Sequence, residues 1–153
     1  MIPGASRVVR ADCVVKALAA FRPGRSVSCP LFIAPVVAGF PSPADDYVER
    51  GLDLNEFLVA HPQATFFARV RGTSMEGVGI HDGDTLVVDR AIAARDGQVV
   101  IALVNNEFTV KRLKRTKRGL FLVAENPSFH AIEVTPGMAF EVWGVVTFVI
   151  HPV

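Results

Sequence analysis

From Thr65 to Ile150 the sequence breaks into short runs rich in β-branched and aromatic residues: TFFARV, DTLVVD, QVVIALV, EFTVKRL, GLFLVAE, AIEV and EVWGVVTFVI. Turns of Gly, Asn, Asp and Pro separate them, and no helical stretch intervenes. Runs of this kind fit strands that pair with their neighbours, because β-branched and aromatic side chains pack well on a pleated surface. The Asn105-Asn106 pair between VVIALV and EFTVKR tolerates the positive φ angles of a two-residue hairpin turn. A mainly β fold is therefore expected, a small, highly bent sheet or partial barrel.

The N-terminal part reads differently. Residues 1–43 carry Pro3, Pro23, Pro30, Pro35, Pro41 and Pro43, which forbid a long uninterrupted helix and make this segment an extended arm on a domain formed by residues 44–153. Within the arm, VVKALAAF (14–21) has the composition of two helical turns, whereas Leu31 to Phe40 reads as extended backbone. One short helix is expected in DLNEFL, with Asp53 as N-cap, Glu56 completing a capping box and Pro62 ending the run.

Charge and cysteines narrow the function classes. With 153 residues and a net charge of +1, any attraction to nucleic acid must come from a local patch, for which KRLKRTKR (111–118) is the candidate. Arg112, Lys114, Arg115, Lys117 and Arg118 are read as a solvated hairpin edge, with direct DNA contact as the alternative. Cys13 and Cys29 have no metal-ligand spacing, so free thiols, no metal, no cofactor and a cytoplasmic setting are expected. The run LFIAPVVAGF is broken by Pro35 and too short to span a bilayer, so no membrane partner is expected. Small residues Ala34 and Ala38 mimic an export cleavage site, but the preceding region is long and mixed in charge.

RGTSMEGVGIHDGD (71–84) places Ser74 between glycines and ahead of an acidic turn. A nucleophilic serine needs a base. His81 with Asp82 or Asp84 is one arrangement, although neighbours in a single polar turn seldom converge as a triad must. Lys111 is the other. Strand alternation puts Thr109, Lys111 and Leu113 on one face, so the lysine shares a side with an apolar residue. A lysine in water, with a pKa of ~10.4, is no base near neutrality, whereas burial penalises the ammonium form. Taken alone, a lysine beside Arg112 and Lys114 reads as a solvated charge.

Gly72-Thr73-Ser74-Met75, then Gly79-Ile80-His81-Asp82-Gly83-Asp84, then a strand carrying Thr109-Val110-Lys111, resembles the self-cleaving serine-lysine domain of the LexA and UmuD proteins. The likeness runs from about Val37 to Ile150, and GFPSPADDYVE, DLNEFL and HPQATFF resemble UmuD more closely than LexA. It implies a serine endopeptidase in which Ser74 is the nucleophile, Lys111 the general base, and the Ala38-Gly39 bond of the chain's own arm the substrate. Backbone N–H groups of Ser74 and Met75 would form the oxyanion hole. It further implies a homodimer serving SOS mutagenesis, cleaved when a RecA filament on single-stranded DNA promotes docking and then joining a UmuC-type Y-family polymerase. Only 38 residues precede the bond, too few and too proline-broken for the DNA-reading domain of a LexA-type repressor. A binding module whose cleavage is not central, and a peptidase acting in trans, are the other readings.

Overall fold

The computed structural model describes residues 12–26, 28–32 and 48–153. Among the described residues, ten strands form two antiparallel sheets: β1 (Val14–Ala20), β2 (Ser28–Phe32), β3 (Val48–Asp53), β4 (Thr65–Arg71), β5 (Thr85–Asp89), β6 (Val99–Val104), β7 (Glu107–Thr116), β8 (Gly119–Val123), β9 (Ile132–Glu133) and β10 (Phe140–Ile150). Eight of them make one strongly curled half-barrel in the order β1-β4-β5-β10-β6-β7-β8-β9, and β2 pairs with β3 apart from it. Each β-rich run from Thr65 onward contributes a strand, although AIEV keeps only Ile132 and Glu133 in β9.

The continuous apolar run of β6 follows from its position. Ile101 belongs to one buried cluster, with Val70, Met75, Ile80, Leu86, Val88 and Val110, whereas Val100 and Ala102 belong to a second, with Leu113, Leu122 and Val145. Both faces of the strand are covered, so alternation with polar residues has no place there. Trp143 packs edge-on against Phe66 and Phe108, with ring centroids 5.0 and 5.6 Å away, on the first cluster. Asn105 and Asn106 have φ of 48° and 66°, and Val104 pairs with Glu107 across them, the two-residue hairpin that the dipeptide predicts.

Three expectations need correction. VVKALAA forms β1, not helical turns; it pairs antiparallel with β4 from Val14–Arg71 to Ala20–Phe66. Its alanines and leucine are good helix formers, but an isolated two-turn helix is marginal, and the open edge of β4 offers a full ladder of backbone hydrogen bonds. The short helix α1 (Leu54–Leu58) is capped by Asp53, whose carboxylate accepts from the N–H of Asn55 at 2.9 Å, without the reciprocal Glu56 contact of a capping box. The basic run lies on β7, between β6 and β8, and on its tight turn into β8, so it is an exposed hairpin end and not a sheet edge. There Lys114, Arg115, Lys117 and Arg118 are exposed, while Arg112 is ion-paired with Glu125.

No helix among the described residues is long and apolar enough to cross a membrane. Ala34, Ala38 and Gly39, with the rest of the stretch from Ile33 to Phe40 expected to be extended, lie outside the described residues.

Candidate active site

Ser74 sits in the turn that follows β4, and two elements hold that turn from opposite sides. On one side, the N–H of Gly72 donates to the carboxylate of Asp82 at 2.9 Å, and Gly72 itself has φ of 112°, a left-handed conformation that favours glycine. On the other, the N–H of Glu125 donates to the carbonyl of Ser74 at 2.8 Å, the N–H of Gly77 donates back to the carbonyl of Glu125 at 2.7 Å, and Asn126 Nδ2 donates to the carbonyl of Thr73 at 3.0 Å. The ion pair with Arg112 of β7 ties Glu125 down. A side chain at 77 would collide with the Glu125 carbonyl, so the close approach requires glycine.

Lys111 reaches the same point from β7. Alternation along the strand turns Thr109, Lys111 and Leu113 inward together, and all three are buried. Lys111 Nζ lies 3.3 Å from Ser74 Oγ and 3.3 Å from Thr109 Oγ1. Ser74 is 0% exposed and Lys111 1%, so the pair is shut away from water. This is the opposite of the solvated charge that a lysine in a basic run suggests.

Sequence reasoning missed a third group. The carboxylate of Asp12, from just before β1, accepts a hydrogen bond from Lys111 Nζ and forms an ion pair with it. The neighbouring Cys13 is fully buried; its N–H donates to Ser74 Oγ at 2.9 Å, and its carbonyl accepts from the N–H of Val110 at 3.1 Å and from Thr109 Oγ1 at 3.4 Å. Burial pushes the Cys13 thiol up to about 12, against a partial opposing pull from the Lys111 charge. No spacing rule links positions this far apart, and Ala-Asp-Cys in a proline-rich arm carries no motif.

The histidines do not enter this site. Among the described residues, the side-chain oxygen of Ser74 has two hydrogen-bond partners, Cys13 N–H and Lys111 Nζ. His81 instead belongs to a trio with Asp84 and His151, whose donor atoms lie within 4.8 Å of one another. Hydrogen bonds account for it: the two oxygens of buried Asp84 accept from His151 Nδ1 at 2.5 Å and from the backbone N–H of His81 at 2.7 Å, tying the C-terminal end to the turn before β5. The side chain of His61 contacts Asp89 at 2.6 Å, and His130 is exposed. A serine-histidine-aspartate triad is thus absent among the described residues. A serine hydroxyl against a buried amine is an arrangement suited to proton abstraction and nucleophilic attack.

Comparison with known proteins gives consistent results. A sequence profile described as Peptidase S24-like matches residues 30–147. Protein MucA of Salmonella typhimurium is 47% identical over 129 residues, spanning 82% of this chain and 88% of MucA. Protein ImpA of Shigella flexneri is 48% identical over 123 residues, 80% of this chain and 83% of ImpA. The LexA repressor of Ectopseudomonas mendocina is 42% identical over 137 residues, 88% of this chain but 63% of the repressor.

Proposed function

The chain belongs to the Peptidase S24-like family, and from that premise we propose that it is a self-cleaving serine endopeptidase that cuts its own Ala38-Gly39 bond. Residues 1–43 then act as the regulatory arm that contains the cleavage site, and 44–153 as the catalytic domain. The observation that carries this reading is the 3.3 Å approach of Lys111 Nζ to Ser74 Oγ in a site closed to water.

In this mechanism neutral Lys111 takes the proton of Ser74 as Oγ attacks the Ala38 carbonyl carbon. The Lys111 ammonium then gives that proton to the departing Gly39 nitrogen, leaving Ser74 esterified to Ala38. Lys111, neutral again, activates the water that hydrolyses the ester. The N–H groups of Ser74 and Met75 serve the oxyanion; neither donates to a described residue, which leaves both available. Glycine after the bond and valines before it, Val36 and Val37, suit a narrow cleft that takes extended backbone. Because nucleophile and substrate share one chain, their effective concentration is high, and access of the arm controls the reaction.

The likeness to UmuD extends the reading to biological role: a homodimeric accessory protein of SOS mutagenesis, cut when a RecA filament on single-stranded DNA promotes docking and thereafter serving a UmuC-type Y-family polymerase. Intact-mass spectrometry of the purified full-length chain tests the chemistry, at alkaline pH and again with RecA, ATP and single-stranded DNA. A fragment beginning at Gly39 is expected. Its equal appearance in Ser74→Ala would overturn the mechanism, and cleavage of added proteins in its place would favour a peptidase acting in trans.

A further inference from the structure

The cleft beside Ser74 is already occupied. β8 pairs with β7 only from Arg112 to Thr116, so the first half of β7, which carries Thr109, Val110 and Lys111, has one open side. Cys13 takes it, through the bond from Val110 N–H to its carbonyl. The following residues, Val14 to Ala20, continue along the outer edge of β4. The segment thus meets the serine at Cys13 and runs out from it along β4, held by main-chain hydrogen bonds to β7 at Cys13 and to β4 from Val14 onward, the way an added strand is recognised at a sheet edge.

Their pose is unproductive on two counts. Ser74 Oγ accepts the N–H of Cys13, which places the oxygen toward the edge of that peptide group, whereas attack on a carbonyl requires approach across its face. Lys111 donates to the Asp12 carboxylate, and an amine committed to an ion pair has no lone pair for the serine proton. The segment's side chains add little beyond that backbone ladder: Cys13 is buried and Val14 and Val15 half-buried, but Lys16 to Ala20 are exposed.

We infer that the groove between β4 and β7 is a binding site for extended peptide, that residues 12–20 are its resident occupant with Asp12 seated on Lys111, and that this occupant must leave before Ser74 can cut. The inference rests on the Ser74-Lys111 reading for its consequence, but not for the binding itself. The resident segment sets an acidic side chain, Asp12, against the lysine and a small residue, Cys13, in the buried position that follows.

The chain supplies its own reporter, since Cys13 is buried by docking whereas Cys29 is exposed. Iodoacetamide labelling of the full-length chain, read by peptide mass spectrometry, is expected to modify Cys29 and spare Cys13. Asp12→Asn should raise Cys13 labelling, and the rate of Gly39 fragment formation, by roughly tenfold or more, the factor expected from losing one charge-assisted hydrogen bond, and Val15→Asp should raise both by setting a charge in a half-buried apolar position. In Ser74→Ala, where no cut is made, a synthetic peptide of residues 33–43 should raise Cys13 labelling with dose by displacing the occupant. Equal labelling of both cysteines in the unaltered chain, or no response to the peptide, overturns the inference whether or not Ser74 is a nucleophile. Freed Cys13 with unchanged cleavage overturns the claim that release is required. Peptide-driven release of Cys13 without cleavage in any variant sustains the binding site and defeats the proposed activity.

Discussion

Ser74 and Glu125 are joined backbone to backbone, the carbonyl of Ser74 accepting from the N–H of Glu125 at 2.8 Å, and this bond fixes the candidate nucleophile to the segment that leaves β8. Its companion, Gly77 N–H to the Glu125 carbonyl, exists because residue 77 has no side chain. Gly77→Ala would force backbone apart, at a cost of about 1–3 kcal/mol typical of overpacking. Urea denaturation should show that loss, and fragment formation should slow with it because Oγ moves away from Nζ.

Lys111→Met is expected to abolish cleavage while leaving the fold intact. Methionine fills similar space without a charge, and the Asp12 carboxylate that loses its partner is part-exposed and can turn to water. A cooperative denaturation transition, with a midpoint no higher than that of the unaltered chain, and no fragment by mass spectrometry are the expected pair of results. Persistent cleavage would remove the lysine from the mechanism.

The Cys13 thiol adds a pH dependence to docking. Its folded value of about 12 lies above the ordinary 9.0, so the docked segment keeps its proton where a released one loses it. This contribution is complete below pH 9 and is lost as pH rises toward 12, by about 1.4 kcal/mol per unit within that window. Cys13 should therefore become labelled faster than thiol ionisation alone predicts as pH is raised above 9.

The hairpin at 105–106 gives a test of the fold independent of the site. Both asparagines hold left-handed backbone, which costs a β-branched residue roughly 1–2 kcal/mol. Asn106→Val should lower stability by about that amount in urea denaturation, and Asn106→Gly should be neutral or slightly stabilising.

Features set by local pattern were legible in the sequence. The strands from Thr65 onward announce themselves by composition and the Asn-Asn turn by its tolerance of positive φ, whereas the phase of Lys111 with Leu113 marked a shared face without marking its burial. The meeting of Lys111 with Ser74 came from the family resemblance, because the residues alone favoured a solvated lysine. Contacts made at long range left no local trace. β1 looked helical because alanine and leucine carry no record of the open edge of β4 that recruits them. Asp12 was invisible for the same reason, since its partner lies on a strand on the far side of the chain.

The half-open side of β7 has a further consequence for where a cut can fall. A peptide entering there is held by its main chain, and the pleat alternates its side chains between the two faces. Sliding by one residue would present the wrong face to the Ser74-Lys111 pair, so permitted frames come in steps of two. Fidelity of the cleavage position is then a property of ladder alignment, and a weakly selective pocket suffices to choose among so few frames.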